Sequence, residues 1–133
     1  MTLSLNRIDV AVLFVADVER AKSFYRDVLG LQANQEDDDG AFFPMQGASL
    51  ILLTVPGAQD LLSTEAVAGD GQRPASSQLV IFVKDVDAAY GELVAKGVEF
   101  IREPIDRAWG MRTAHFKDPD GHIWELAQQL GQD

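Results

Sequence analysis

The sequence predicts an α+β protein built from two βαβββ modules in a single chain. Three observations carry that prediction. The stretch Phe14-Val15-Ala16-Asp17-Val18 returns as Phe82-Val83-Lys84-Asp85-Val86, an apolar run followed by an aspartate in both copies. A helical spacing follows each aspartate, with Val18, Ala21, Tyr25 and Leu29 answered by Val86, Ala89 and Leu93. A glycine, Gly30 or Gly97, closes each helical pattern, and short strand-like segments follow it. Repeated halves imply a pseudo-symmetric fold. Functional residues are therefore sought at matching positions in the two copies.

Taken in order, Ile8 to Val15 is apolar after Asp9 and reads as a strand covered on both faces. Asp17 is an N-cap, because its carboxylate can accept from the free amides of a first helical turn. Val18 to Leu29 presents one apolar helical face, and Gly30 suits the left-handed residue that ends it. Leu31 to Gln35 and Ala41 to Met45 read as strands joined by the solvated acidic turn Glu36-Asp37-Asp38-Asp39, with Asp39-Gly40 as a hairpin signal. Ser49 to Val55 is the last strand of the first half. Pro56 to Ser77 is small, polar and rich in Gly, Ser and Pro; it reads as a linker with a short helical turn near Asp60 to Val67. The second half repeats the order. Gln78 to Val83 is a strand, and Asp85 caps a helix ended by Gly97. Val98 to Ile101 is a strand and Pro104 to Trp109 a loop. Met111 to Lys117 and His122 to Ala127 form a hairpin around Asp118-Pro119-Asp120-Gly121. The modules span about residues 6–56 and 77–130, with a linker at 57–76, all within one domain.

Composition narrows the function classes. A formal net charge of −10 argues against a nucleic-acid backbone as partner. No apolar run approaches the ~20 residues of a membrane span, and no signal-like pattern opens the chain, so a cytoplasmic location is expected. The absence of cysteine removes disulfides, thiolate nucleophiles and thiolate metal sites. There is no glycine-rich phosphate loop, and no serine lies in a nucleophile-elbow context.

Three motifs carry a family resemblance. They are Val15-Ala16-Asp17-Val18-Glu19-Arg20-Ala21-Lys22-Ser23-Phe24-Tyr25 with Val28-Leu29-Gly30-Leu31, then Phe82-Val83-Lys84-Asp85-Val86-Asp87-Ala88-Ala89, then Asp118-Pro119-Asp120-Gly121-His122-Ile123-Trp124-Glu125-Leu126. With these the chain resembles the vicinal oxygen chelate superfamily of glyoxalases, bleomycin-resistance proteins and extradiol dioxygenases. The resemblance implies the glyoxalase/bleomycin resistance/dihydroxybiphenyl dioxygenase-like fold, with cupped sheets that enclose a pocket, often in a homodimer. It also implies a divalent metal held by four side chains, which fall here on Val10, Ile51, Gln78 and Glu125. Valine and isoleucine have no donor atom, so no metal cofactor is expected; if one binds at all, Gln78 and Glu125 hold it.

Strand alternation sets Val12 and Phe14 beside Val10 on the pocket face, and Val80 beside Gln78. That pocket is mostly apolar and suits a small organic ligand. Glu125 has two readings: an inherited carboxylate bonded to Gln78 or a buried water, or a general base or ligand anchor. The resemblance implies that Phe116 packs under the helices, which turns His115, with Thr113, to the pocket face, where it can pair with Glu125 and pass a proton. His122 is expected to be exposed. Trp109 beside Gly110 can form a hydrophobic lip, and Arg112 can clamp a ligand carboxylate, or pair with Asp118 or Asp120. The expected function is metal-independent binding of a small organic compound, of the bleomycin-resistance kind. The alternative is a glyoxalase-like lyase, isomerase or dioxygenase-related enzyme that uses Glu125 as base or metal ligand.

Overall fold

The computed structural model describes residues 6–64, 66–67 and 77–131. The chain divides into two compact units, Met1–Gly71 and Gln72–Asp133. Each contains one four-stranded sheet with a helix on one face. The order of elements is βαβββ in both, with one additional helix in the first unit.

In the first unit, β1 (Val10–Val15) leads to α1 (Val18–Lys22), which continues as wider π-helical turns over Ser23–Val28. Asp17 caps α1 through a 3.0 Å bond from the Arg20 amide to its carboxylate. The wider turns show in the bond from Leu29 N–H to the Phe24 carbonyl, five residues back. Gly30 follows with φ of +78°, the left-handed residue that ends the helix. Strands β2 (Gln35–Glu36), β3 (Gly40–Phe43) and β4 (Ser49–Thr54) complete a sheet of order β1-β4-β3-β2, with β1 parallel to β4. Leu50, Leu52 and Phe43 are buried on the face that carries α1, with Ala21, Phe24 and Tyr25.

Several expectations change here. The second strand is only two residues long, and β3 stops at Phe43 because Pro44 cannot donate to the ladder. The acidic turn is more than solvated: the buried Lys22 ammonium donates to the Asp37 carbonyl at 2.9 Å and lies 3.8 Å from the Glu36 carboxylate. The expected helical turn near Asp60 starts earlier, as α2 (Val55–Leu61). Thr54 caps it, and Pro56 sits in its first turn, where a missing N–H costs nothing. The later part of the expected linker, 68–76, lies outside the described residues. Nor is β1 covered on both faces, since Val10 and Val12 are 42% and 41% exposed.

In the second unit, β5 (Gln78–Phe82), α3 (Val86–Ala95), β6 (Phe100–Asp106), β7 (Met111–Lys117) and β8 (Ile123–Gln129) form a sheet of order β5-β8-β7-β6. The Asp85 carboxylate accepts from the Ala88 amide, as Asp17 does in the first unit. β6 is longer than expected and runs through Pro104, where a loop was expected. It is an edge strand, so the missing N–H breaks no ladder, and the register shifts on both sides of Arg102 absorb the irregularity. Ala114, Phe116, Trp124 and Leu126 are buried on one face of this sheet, and Phe116 and Trp124 stack at 6.4 Å. His122 is half-buried instead of exposed, because the Asp118 carboxylate accepts from its amide and draws the turn tight.

Candidate functional site

The register of the second sheet fixes which side chains meet on its other face. Thr113, Ala127 and Phe82 form one row across β7, β8 and β5. His115, Glu125 and Val80 form the next, and Lys117, Ile123 and Gln78 the third. The polar residues sit where rows meet. His115 Nε2 lies 2.9 Å from Glu125 Oε1, and Gln78 Nε2 donates to the same oxygen at 3.3 Å.

Because a carboxylate only accepts, the bond assigns the imidazole proton to Nε2. Nδ1 is buried and without a hydrogen-bond partner among the described residues. His115 therefore stands behind Glu125 and orients it. The second carboxylate oxygen, Oε2, has no protein donor among the described residues and is not sealed off. It is the atom of this cluster available to a bound molecule.

Around the cluster the floor is apolar. Val80 and Phe82 are 46% and 71% exposed, large fractions for such side chains. A cavity of about 380 Å³ opens at the ends of β5 and β8, lined by Phe82, Val83, Lys84, Ala127, Gln128 and Gln129. It lies at the end of the Thr113–Ala127–Phe82 row and is of a size that takes a small organic molecule.

The hairpin turn between β6 and β7 brings two further groups. Arg107 Nε donates to the Thr113 hydroxyl at 3.0 Å, and its guanidinium lies 5.9 Å from the centre of the exposed Trp109 ring. Arg112 is not with them. It alternates with Thr113 and faces α3, where Asp87 takes two of its N–H groups at 3.0 Å and Asp106 a third at 2.9 Å. Its hydrogen bonds to the carboxylates of Asp87, then Asp106, hold its guanidinium charged beyond even the usual arginine range. Its partners are thus neither a ligand nor Asp118 or Asp120. The sequence carried the signal for this, because a strand that turns Thr113 and His115 to one face must turn Arg112 to the other.

In the first unit the matching face carries Val10, Val12, Phe14, Phe42 and Ile51. Val10 pairs with Ser49, and Ile51 lies two residues further on. Gln78 pairs with Ile123, with Glu125 two residues further on. The two diagonals are equivalent, so the repeat holds at the level of register.

The sequence profile described as "Glyoxalase/Bleomycin resistance protein/Dioxygenase superfamily" matches residues 7–126. The chain belongs to this superfamily. Among similar proteins, YraH of Bacillus subtilis, itself uncharacterized, is 31% identical over 121 residues, which cover 89% of this chain and 94% of YraH. A glyoxalase/bleomycin resistance protein/dioxygenase from Nocardioides has a crystal structure that fits with a TM-score of 0.81 at 27% identity, covering 99% of this chain and 89% of that one. A glyoxalase-related enzyme from Fulvimarina pelagi fits with a TM-score of 0.80 at 29% identity, covering 94% and 89%.

Members of the superfamily often hold a divalent metal, and the donor set here is a poor fit for one. Val10 and Ile51 supply no donor at two of the equivalent positions. Among the described residues His115 Nδ1 has no acceptor of the kind that normally orients a metal-binding imidazole. Among the described residues no group of three or more His, Cys, Asp or Glu side chains could hold an ion. Among the same residues, no helix is long and apolar enough to cross a membrane.

Proposed function

We propose that this superfamily member binds a small, largely apolar organic compound without a metal, on the face that carries Glu125, His115 and Gln78. The observation that carries the reading is the exposed apolar floor of Val80 and Phe82 beside a carboxylate with one open oxygen. An apolar surface of this kind gains free energy when a ligand excludes water from it. Glu125 supplies one oriented acceptor, and that fixes the ligand's polar group. Val10, Val12, Phe14 and Ile51 make an apolar face of the same kind on the sheet of the first unit. Protein purified from its native cells and measured by native mass spectrometry is expected to carry a small organic adduct. Dialysis against a chelator should leave that adduct in place. Loss of the adduct with the chelator would overturn metal independence.

A second reading is favoured by the open Oε2 of Glu125. A carboxylate oriented by His115 and Gln78, with its other oxygen free, is built to take a proton from carbon next to a carbonyl. In that case Glu125 is the base and His115 its positioning partner. Incubation of the bound compound with protein in D2O should then replace that hydrogen with deuterium, and Glu125→Gln should stop the exchange. Binding without exchange leaves the protein a binder only.

A further inference from the structure

We infer that the compound bound on this face is an organic acid whose carboxylate is held by Arg107. The inference rests on the binding reading above and narrows its ligand class.

The chain has 21 acidic and 11 basic side chains. Several of its cations are paired with a carboxylate. Arg7, Arg26 and Arg112 each have one within 3.0 Å. Arg107 has none among the described residues. Its Nε is bonded to Thr113 and its central carbon lies 5.9 Å from the centre of the Trp109 ring, which leaves both terminal nitrogens unspent among the described residues. Those nitrogens form the fork that matches a carboxylate with two parallel hydrogen bonds. Aromatic contact on one side partly desolvates the fork, which strengthens its hold on an anion.

Its position suits this role. Thr113 begins the row that continues through Ala127 to Phe82, and that row ends at the cavity. Two strand spacings make this row roughly 10 Å long, about the length of a two-ring aromatic acid. Thr113 and Ala127 are already covered, so an acid held by Arg107 would lay its apolar body toward the exposed Phe82 and the cavity, with Glu125 in the adjoining row. Further cations rim the face. Arg102 is the register partner of His115, and Lys117 stands two residues beyond His115 on the same strand; neither has an ion-pair partner among the described residues. The face is thus locally cationic on a strongly acidic molecule, which steers anions to it.

The test uses matched pairs that differ in charge alone: benzoate and benzamide, 2-naphthoate and 2-naphthamide. Binding to the whole protein is measured by calorimetry at low salt. In the wild type, 2-naphthoate is expected to bind at least about tenfold more tightly than its amide, the gain typical of one charge-assisted fork. Arg107→Gln should erase that preference, Arg107→Lys should keep part of it, and Arg112→Gln should leave it unchanged. Circular dichroism on each variant establishes that the fold is retained. If acid and amide bind equally, or if Arg107→Gln keeps the preference, the organic-acid inference is overturned while the binding reading stands. If neither member of either pair binds up to millimolar concentration, both fail.

Discussion

Glu125 holds two donors on Oε1, and a glutamine in its place keeps an acceptor at the same point while its amide nitrogen takes the open position. Glu125→Gln is therefore expected to change folding stability by less than about 1 kcal/mol, since each donor keeps a partner. Urea denaturation measures this directly. A loss above about 2 kcal/mol would mark the carboxylate as a structural hub and weaken both functional readings. Gly30 makes a different demand. With φ of +78° and nothing within 4 Å of an added Cβ, the cost of a side chain there is all in the backbone. Gly30→Val should lose about 1–2 kcal/mol, and Gly30→Asn clearly less, because asparagine tolerates the left-handed region. Equal losses for the two would remove that account. Gly40 is the steric counterpart: an added Cβ there would collide with the Leu52 carbonyl oxygen across the β3–β4 ladder. At this scale Gly30 was legible from its place after a helical pattern. Gly40 was not, because a close approach between strands leaves no mark on one strand alone.

Elements are joined by a few charged side chains that the sequence shows without showing their partners. Lys22 is the clearest. Its side chain is only 6% exposed, and its ammonium binds Glu19 and the Asp37 carbonyl, so α1 holds down the β2–β3 turn. Lys22→Met keeps the apolar stem and removes the donors. It should cost about 1.5–3 kcal/mol, the range for hydrogen bonds to a charged group, and should speed amide exchange in the β2–β3 hairpin ahead of the rest of the sheet. An unchanged unfolding midpoint would mean that the turn folds without the lysine. Arg112 makes the same kind of link from β7 to α3 and β6. What the sequence did reveal at this scale follows from period two. Once the family resemblance puts Phe116 under the helices, alternation assigns Trp124 to the same side and Thr113, His115 and Glu125 to the other. What it hid depends on turns: Arg107 reaches Thr113 only because the Arg107–Met111 hairpin closes with a bond from Arg107 N–H to the Met111 carbonyl. Pro104 and Pro56 misled for a related reason, since a proline ends a central strand or a helix interior yet fits an edge strand or a first helical turn.

For the whole molecule the repeat has a consequence for assembly. β1 and β5 are equivalent by register, and each stands at the end of its own sheet. Each also carries exposed apolar side chains, Val10 and Val12 on one, Val80 and Phe82 on the other. An apolar edge strand left in water is a template for further pairing, and proteins cover such edges. A second copy of the chain is the occupant that covers both kinds of edge by one symmetric operation, since a twofold axis repeats every contact. The molecule is therefore expected to be a homodimer that buries well over ~1,000 Å² and excludes water from these apolar side chains. The formal charge of −10 on each chain opposes association at long range, so the dimer should tighten as salt screens that repulsion, opposite to the trend for a contact built on ion pairs. Light scattering at low micromolar concentration decides the matter. A mass of about twice the 14.5 kDa chain is expected, more completely at 0.5 M than at 0.05 M salt, with screening lengths of roughly 4 and 14 Å. A mass near 14.5 kDa at both salt concentrations would mean that these apolar edges are covered without a second chain.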